Sequence, residues 1–256
     1  MYHSIIFGDK NTWDDWHIIP ASRPVFSVPQ LKSRVIDIPG GDGNLDFSTA
    51  LTGYPVFQNR EGSFEFIVEN GYGEWFDRYS EILAYLHGKY MRAYLEDEPD
   101  YFYEGRFTVN EWRSEKDWSR ITVDYSVKPY KYYIHTSLED WIWDTFNFQT
   151  GVISDGKFND ISVLSGSGWT TRTFMSKDYG TAPVSPEFIV STPLNAGIQI
   201  RLVCPDTGLN VVETFLNGEW TSPKFVFYGS RVLLYFKCVN ESETGTVSIN
   251  FRKGKL

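Results

Sequence analysis

Few residues in this sequence are spaced for bond-making chemistry. Its four histidines, His3, His17, His87 and His135, stand far apart, and no cysteine lies near any of them. A zinc centre draws on closely spaced His and Cys ligands, so no metal site is expected. His87 falls at the end of a predicted helix, where a cation suits the negative end of the dipole. No G-x-S-x-G elbow occurs; Gly166-Ser167-Gly168 comes nearest and reads as a loop. A phosphate-cradling G-x-x-x-x-G-K-[ST] is also missing. In Gly40-Gly41-Asp42-Gly43-Asn44-Leu45-Asp46 the side chains of Asp42, Asn44 and Asp46 have the spacing that opens a calcium loop. Phe47 then stands where that loop needs Gly, and Gly53 where it needs a bidentate Glu. The stretch reads instead as a tight turn, with glycines at positive φ and Asp and Asn capping their own backbone.

Carboxylates occur as Asp14-Asp15, as Glu139-Asp140 and in the cluster Glu96-Asp97-Glu98-Pro99-Asp100. Glycoside hydrolysis holds two of them ~5–9.5 Å apart across a sugar. Sequence neighbours on a strand point to opposite faces, so adjacency builds no such pair. No catalytic residue and no cofactor is assigned, and the chain is not expected to be an enzyme. Trp141, Trp143, Trp169 and Trp220 could stack on sugars, although aromatics in β-proteins more often serve as core or interface anchors. Aromatics make up 17% of the chain, more than two small cores consume, so some should meet partners.

These side chains must be held by strands. In Arg120–Lys128, Ile121, Val123, Tyr125 and Val127 share one face, and Thr122, Asp124 and Ser126 share the other. Phe64, Phe66 and Val68 alternate against Glu65 and Glu69, with Ile67 breaking the pattern; Phe107 and Val109 behave similarly. Further on, Ile198, Ile200, Leu202 and Cys204 form one stripe, and Val232, Leu234, Phe236 and Cys238 another. One buried and one wet face is the mark of antiparallel sheets. The two cysteines read as reduced thiols packed like small hydrophobes. One helix is predicted near 74–87, where Trp75 or Phe76 is followed by Tyr79, Ile82, Leu83 and Leu86, with Gly88 as C-cap.

A change of character near Pro129 divides the chain into a domain over 1–133 and a second over 134–256. Turn signals crowd the second, among them Asp155-Gly156, Asp206-Thr207-Gly208 and Asn217-Gly218, which suggests a β-sandwich. With 33 acidic and 24 basic residues, the net charge of −9 argues against sequence-independent nucleic-acid binding, which rests on Lys and Arg. No run approaches the ~18 apolar residues of a membrane span. Ile5-Ile6-Phe7 is too short for a signal peptide, so a reducing compartment is expected.

The order of motifs carries a resemblance. Ile6-Phe7-Gly8-Asp9-Lys10-Asn11-Thr12-Trp13-Asp14-Asp15-Trp16 is followed by Pro39 through Asp46, Leu51-Thr52-Gly53, Asn59-Arg60 and the strand Phe64-Glu65-Phe66. Then come Leu86-His87-Gly88, Asp97-Glu98-Pro99 leading to Tyr103-Glu104-Gly105-Arg106-Phe107, Ile121 to Tyr125 running into Lys128-Pro129-Tyr130-Lys131-Tyr132, and Trp143 to Phe148. Over residues 5–148 the chain resembles the distal tail protein (Dit) family of long-tailed, non-contractile bacteriophages. The resemblance implies a mainly β fold: an N-terminal β-barrel or sandwich-like domain with one α-helix, then a C-terminal galectin-like β-sandwich. It implies a baseplate hub in the virion, assembled in the host cytoplasm as a homo-hexameric ring around a channel for DNA. The implied partners are the tail tube protein, a tail-tip or tail-associated protein and receptor-binding proteins. On that reading Glu96, Asp97, Glu98 and Asp100 face the channel and repel phosphate. The galectin signatures H-x-N-x-R and W-G-x-E are missing: His135 is followed by Thr136-Ser137. No galactoside binding is therefore expected, since fold alone does not supply function. The alternative reading is a carbohydrate-binding adsorption protein that recognises the host cell wall.

Overall fold

A computed structural model of the chain describes residues 3–69, 75–114, 118–139 and 157–256. It divides into two compact units, Met1–Leu51 with Pro55–Ile134, and Thr52–Tyr54 with His135–Leu256. Among the described residues no helix is long and apolar enough to cross a membrane.

Unit 1 runs β1 (Ile5–Phe7), β2 (Lys10–Asn11), β3 (Ile18–Pro20), β4 (Val35–Asp37), β5 (Asn44–Asp46), β6 (Arg60–Glu69), α1 (Trp75–Leu86), β7 (Lys89–Leu95), β8 (Glu98–Ser114), β9 (Trp118–Val127) and β10 (Lys131–Thr136). The main sheet has the order β2-β1-β7-β8-β9-β6-β3, and β10 adds to β8. The predicted alternation holds. Ile121, Val123, Tyr125 and Val127 are buried, as are Phe64, Phe66 and Val68, because each strand turns one side toward a core that Phe7, Trp16 and Phe107 also fill. α1 lies on that core through Ile82 and Leu86, with Trp75, Tyr79 and Leu83 partly buried beside them. Trp75 takes the first place in the stripe; Phe76 stays exposed and meets Trp112 edge-on at 5.3 Å. The helix stops at Gly88, whose φ of 71° is open to glycine at little cost, and the Gly88 N–H turns to the Phe107 carbonyl at 2.8 Å.

Two irregularities in β8 were not legible beforehand. The register on β9 shifts between Val109 and Glu111, so Trp112 rather than Glu111 stands opposite Ile121 on the core side. The register on β7 shifts so that Leu95 pairs with Glu98 while Tyr94 pairs with Phe102. β10 forms where neither period was visible. All six of its residues are half-buried, so neither face is cleanly wet.

Unit 2 runs β11 (Ile161–Val163), β12 (Thr170–Met175), α2 (Ser176–Tyr179), β13 (Glu187–Ser191), β14 (Ile198–Cys204), β15 (Leu209–Phe215), β16 (Gly218–Thr221), β17 (Arg231–Cys238), β18 (Gly245–Asn250) and β19 (Arg252–Lys255). Two sheets, β11-β18-β13-β16 and β12-β17-β14-β15, share one core. Phe188, Val190, Val247 and Ile249 enter it from the first sheet; Ile200, Leu202, Leu234 and Phe236 enter from the second. This is a β-sandwich. Cys204 and Cys238 are free thiols buried in that core, and burial pushes the Cys238 thiol up. Asp206-Thr207-Gly208 and Asn217-Gly218 make the turns at either end of β15, with Gly208 at φ 71°.

Candidate functional site

The most unusual feature of unit 1 is a hairpin that, among the described residues, stands apart from the main sheet. β4 and β5 pair only with each other, Val35 with Asp46, Ile36 with Leu45 and Asp37 with Asn44. Side chains alternate across such a ribbon. One face therefore carries Arg34, Ile36, Ile38, Leu45 and Phe47. The other carries Val35, Asp37, Asn44 and Asp46. The apolar side chains on the first face are open to solvent: Ile36 50%, Ile38 39%, Leu45 49% and Phe47 43%. The predicted turn closes the hairpin, with Gly40 at φ 80° and Gly43 at φ 74°; Gly41 and Asp42 lie between them, exposed. Asp46 accepts hydrogen bonds from the Ser48 N–H at 2.8 Å and the Ser48 hydroxyl, and these bonds hold its carboxyl below the ordinary range. Both bonds end on Oδ1, which is thus committed to a local cap.

The root of this arm is fixed by a buried cation. Leu31 bridges Phe57, and the Lys32 N–H donates to the Val56 carbonyl at 2.8 Å. Below it, Arg60 donates from Nε to the Pro129 carbonyl at 2.8 Å and from a terminal nitrogen to the Ser27 carbonyl at 2.7 Å. Its guanidinium lies 5.7 Å from the Tyr103 ring centroid. Ser27 is held further by its N–H to the Tyr125 hydroxyl at 2.9 Å and by its own hydroxyl to the Glu61 carbonyl at 2.8 Å.

The acidic cluster occupies the β7–β8 turn and the bulge that follows. Two of its four carboxylates, Asp97 and Glu98, are paired with cationic side chains within the unit. Asp97 sits 2.9 Å from His3 Nδ1 and 2.8 Å from Arg23 Nε; the His3 contact first, then Arg23, draws its carboxyl below the ordinary range. Glu98 pairs with Lys131. Glu96 takes the Ser4 N–H at 2.8 Å and the Ser4 hydroxyl at 3.1 Å on a single oxygen, Oε2. Asp100 is half-buried. The expectation that the cluster faces a channel rests on repulsion between its carboxylates and phosphate.

In unit 2, Trp220 donates to the Leu216 carbonyl at 2.9 Å and lies across from Phe188 at the sheet edge. Trp169 stands edge-on to Tyr235 at 6.4 Å, and Arg201 lies over that same ring at 5.5 Å. His135 is 2.5 Å from Glu139. Trp141, Trp143, Asp140, Gly73, Glu74, the Asp155-Gly156 turn and the stretch to Phe148 lie outside the described residues. His87 contacts the Val109 carbonyl through Nδ1 at 3.1 Å. Among the described residues no group of three His, Cys, Asp or Glu side chains is arranged to hold a metal. The apolar arm face escaped the sequence reading because Val35 and Ile36 are adjacent and conceal the alternation, although the positions 34, 36, 38, 45 and 47 spell it out.

The chain is mainly β, with a single longer helix on the core of unit 1 and a sandwich in unit 2, and this fold recurs in a solved structure. One solved structure it matches is SPP1 Dit (gp 19.1), described as a paradigm of the hub adsorption apparatus in phages that infect Gram-positive hosts. The TM-score is 0.61, identity is 16%, and the match covers 100% of both chains. The likeness is one of fold. No family model and no curated protein matches the sequence.

Proposed function

We propose that this chain is a structural hub of a phage tail tip. It works by fitting against copies of itself and neighbouring virion proteins, with no bond made or broken. Six copies close a ring around a DNA channel; one face docks on the tail tube and the other takes the tip protein, while the outer sandwiches hold receptor-binding proteins. The fold it shares with a hub protein supports the class. The observation that carries self-association is the β4–β5 arm. An isolated two-stranded hairpin is marginal in water, and this one leaves five large apolar side chains uncovered, four of them on one face. A heterologous contact that closes would cover them. For Glu96, Asp97 and Glu98 the proposal moves away from lining the channel: they serve local pairing and subunit contact.

Sedimentation and negative-stain imaging of the full chain test this. An annulus of about six subunits supports it. Monomers without an annulus, alone or mixed with the tube and tip proteins, refute it. The wall-carbohydrate reading has in its favour the exposed Trp169 beside the half-buried Tyr235 and Arg201. Pull-down on host cell walls by a monomeric chain would select it, and a calorimetric titration with lactose is expected to stay flat.

A further inference from the structure

We infer that the receiving surface for the arm is a groove on the outer face of β1 and β7 of the neighbouring copy, and that Arg34 is seated there between Asp14 and Glu96. This rests on the ring reading above and names its contact.

The groove encloses about 330 Å³. Ile6, Trp13, Tyr94 and Pro99 give it apolar and aromatic walls, and Asp14 and Glu96 stand at its rim. Ile6 and Tyr94 are direct cross-strand partners, so the floor is fixed by the sheet. Asp14 is exposed and has no ion-pair partner among the described residues. Glu96 spends only Oε2 on Ser4, which leaves Oε1 to accept from outside. The groove thus wants an apolar ligand that carries one cation.

The arm offers that ligand. Arg34 shares its face with Ile36, Ile38, Leu45 and Phe47, and its side chain has no ion-pair partner among the described residues. Asp37 and Asp46 project from the opposite face, away from the acidic rim. Docked this way, apolar side chains meet Trp13, Tyr94, Ile6 and Pro99. The guanidinium meets two carboxylates and the aromatic faces, a setting that favours Arg. Arm and groove are different patches of one unit, which is what a head-to-tail ring contact requires.

Charge exchange in the full chain tests this, with subunit mass read by sedimentation at the highest workable concentration. Arg34→Glu sets like charges together and should raise the concentration of half-assembly by about tenfold or more. Asp14→Lys combined with Glu96→Gln reverses the groove and keeps an acceptor for Ser4; it should do the same. Combining all three should restore the ring toward the wild-type level. A wild-type ring that Arg34→Glu leaves intact, or a triple variant weaker than either parent, overturns the inference and leaves the ring standing. A wild-type chain that never assembles overturns both. Unchanged thermal melting of each variant rules out misfolding as the cause of dissociation; a variant that melts early is replaced by Arg34→Gln, which should weaken assembly less than Arg34→Glu.

Discussion

Arg60→Met is the sharpest test of how unit 1 holds its arm. Met keeps much of the apolar stem and removes the guanidinium. Two charge-assisted bonds, to the Pro129 and Ser27 carbonyls, disappear with it. Hydrogen bonds to a charged group contribute ~1.5–3 kcal/mol each, so the gross loss is about 3–6 kcal/mol. Against this stands the relief of a buried cation, since burial pulls the Arg60 guanidinium below its ordinary range. The net loss is therefore put at about 2–4 kcal/mol. At roughly 3 °C per kcal/mol for a domain of this size, the unit 1 melting transition should fall by roughly 6–12 °C and that of unit 2 should stay put. The damage should also be local. The Ser27 N–H, bonded to the Tyr125 hydroxyl, should exchange faster than amides in β9, and protease should cut first within 31–51. Arg60→Lys, a single compact cation, should recover only part of the loss. If Arg60→Met melts with wild type and protects Ser27 equally, the arm is not anchored as described.

Other perturbations read different layers. Gly105→Ala would put its Cβ 2.3 Å from the Ser126 carbonyl oxygen and 2.4 Å from Val127 Cα. Backbone must shift, so denaturant titration should show a loss of at least about 1–3 kcal/mol. Leu86→Ala, at a fully buried position, should lose about 2–5 kcal/mol, whereas exposed Phe76→Ser should change stability by less than about 0.5 kcal/mol. On acidification, Asp97 has a folded pKa drawn below its usual 3.8, so its contribution is complete above about 3.8 and is lost as the pH falls through the lowered folded value. Amides at the β7–β8 turn should lose exchange protection in that window, and Asp97→Asn should abolish the dependence.

The strands that were legible in advance are those with one wet face. β9, β14 and β17 alternate because each residue on the sandwich or core side is apolar and each partner is polar or at the surface; Cys204 and Cys238 fit as small hydrophobes. α1 was legible for the same reason at the helical period. The bulge before Glu111 was not, because an inserted residue looks in sequence like the end of a strand. β1, β2 and β3 are too short to display a period at all. Asp97 and Glu98 stood out as charge, yet their contacts with His3, Arg23 and Lys131 span up to 94 positions of sequence, and no local pattern encodes them. The arm was misleading in the opposite sense: its apolar residues argue for burial, and among the described residues they remain 39–50% exposed.

That last mismatch is where function becomes readable. A chain selected to act alone would cover Ile36, Ile38, Leu45 and Phe47 or replace them, since exposed apolar clusters invite aggregation. Retaining them on a hairpin whose reverse face carries Asp37, Asn44 and Asp46 beside a lone Val35 biases contact toward the apolar side. Arg34 adds a polarity that a featureless greasy strip would lack, so the arm discriminates among acceptors as well as adhering to them. Because β4 and β5 are too short to be stable by themselves, docking and arm ordering must be coupled. On the proposed ring reading, assembly should then depend steeply on subunit concentration, with monomers staying separate until enough copies are present to close a ring, which sedimentation across a concentration series checks.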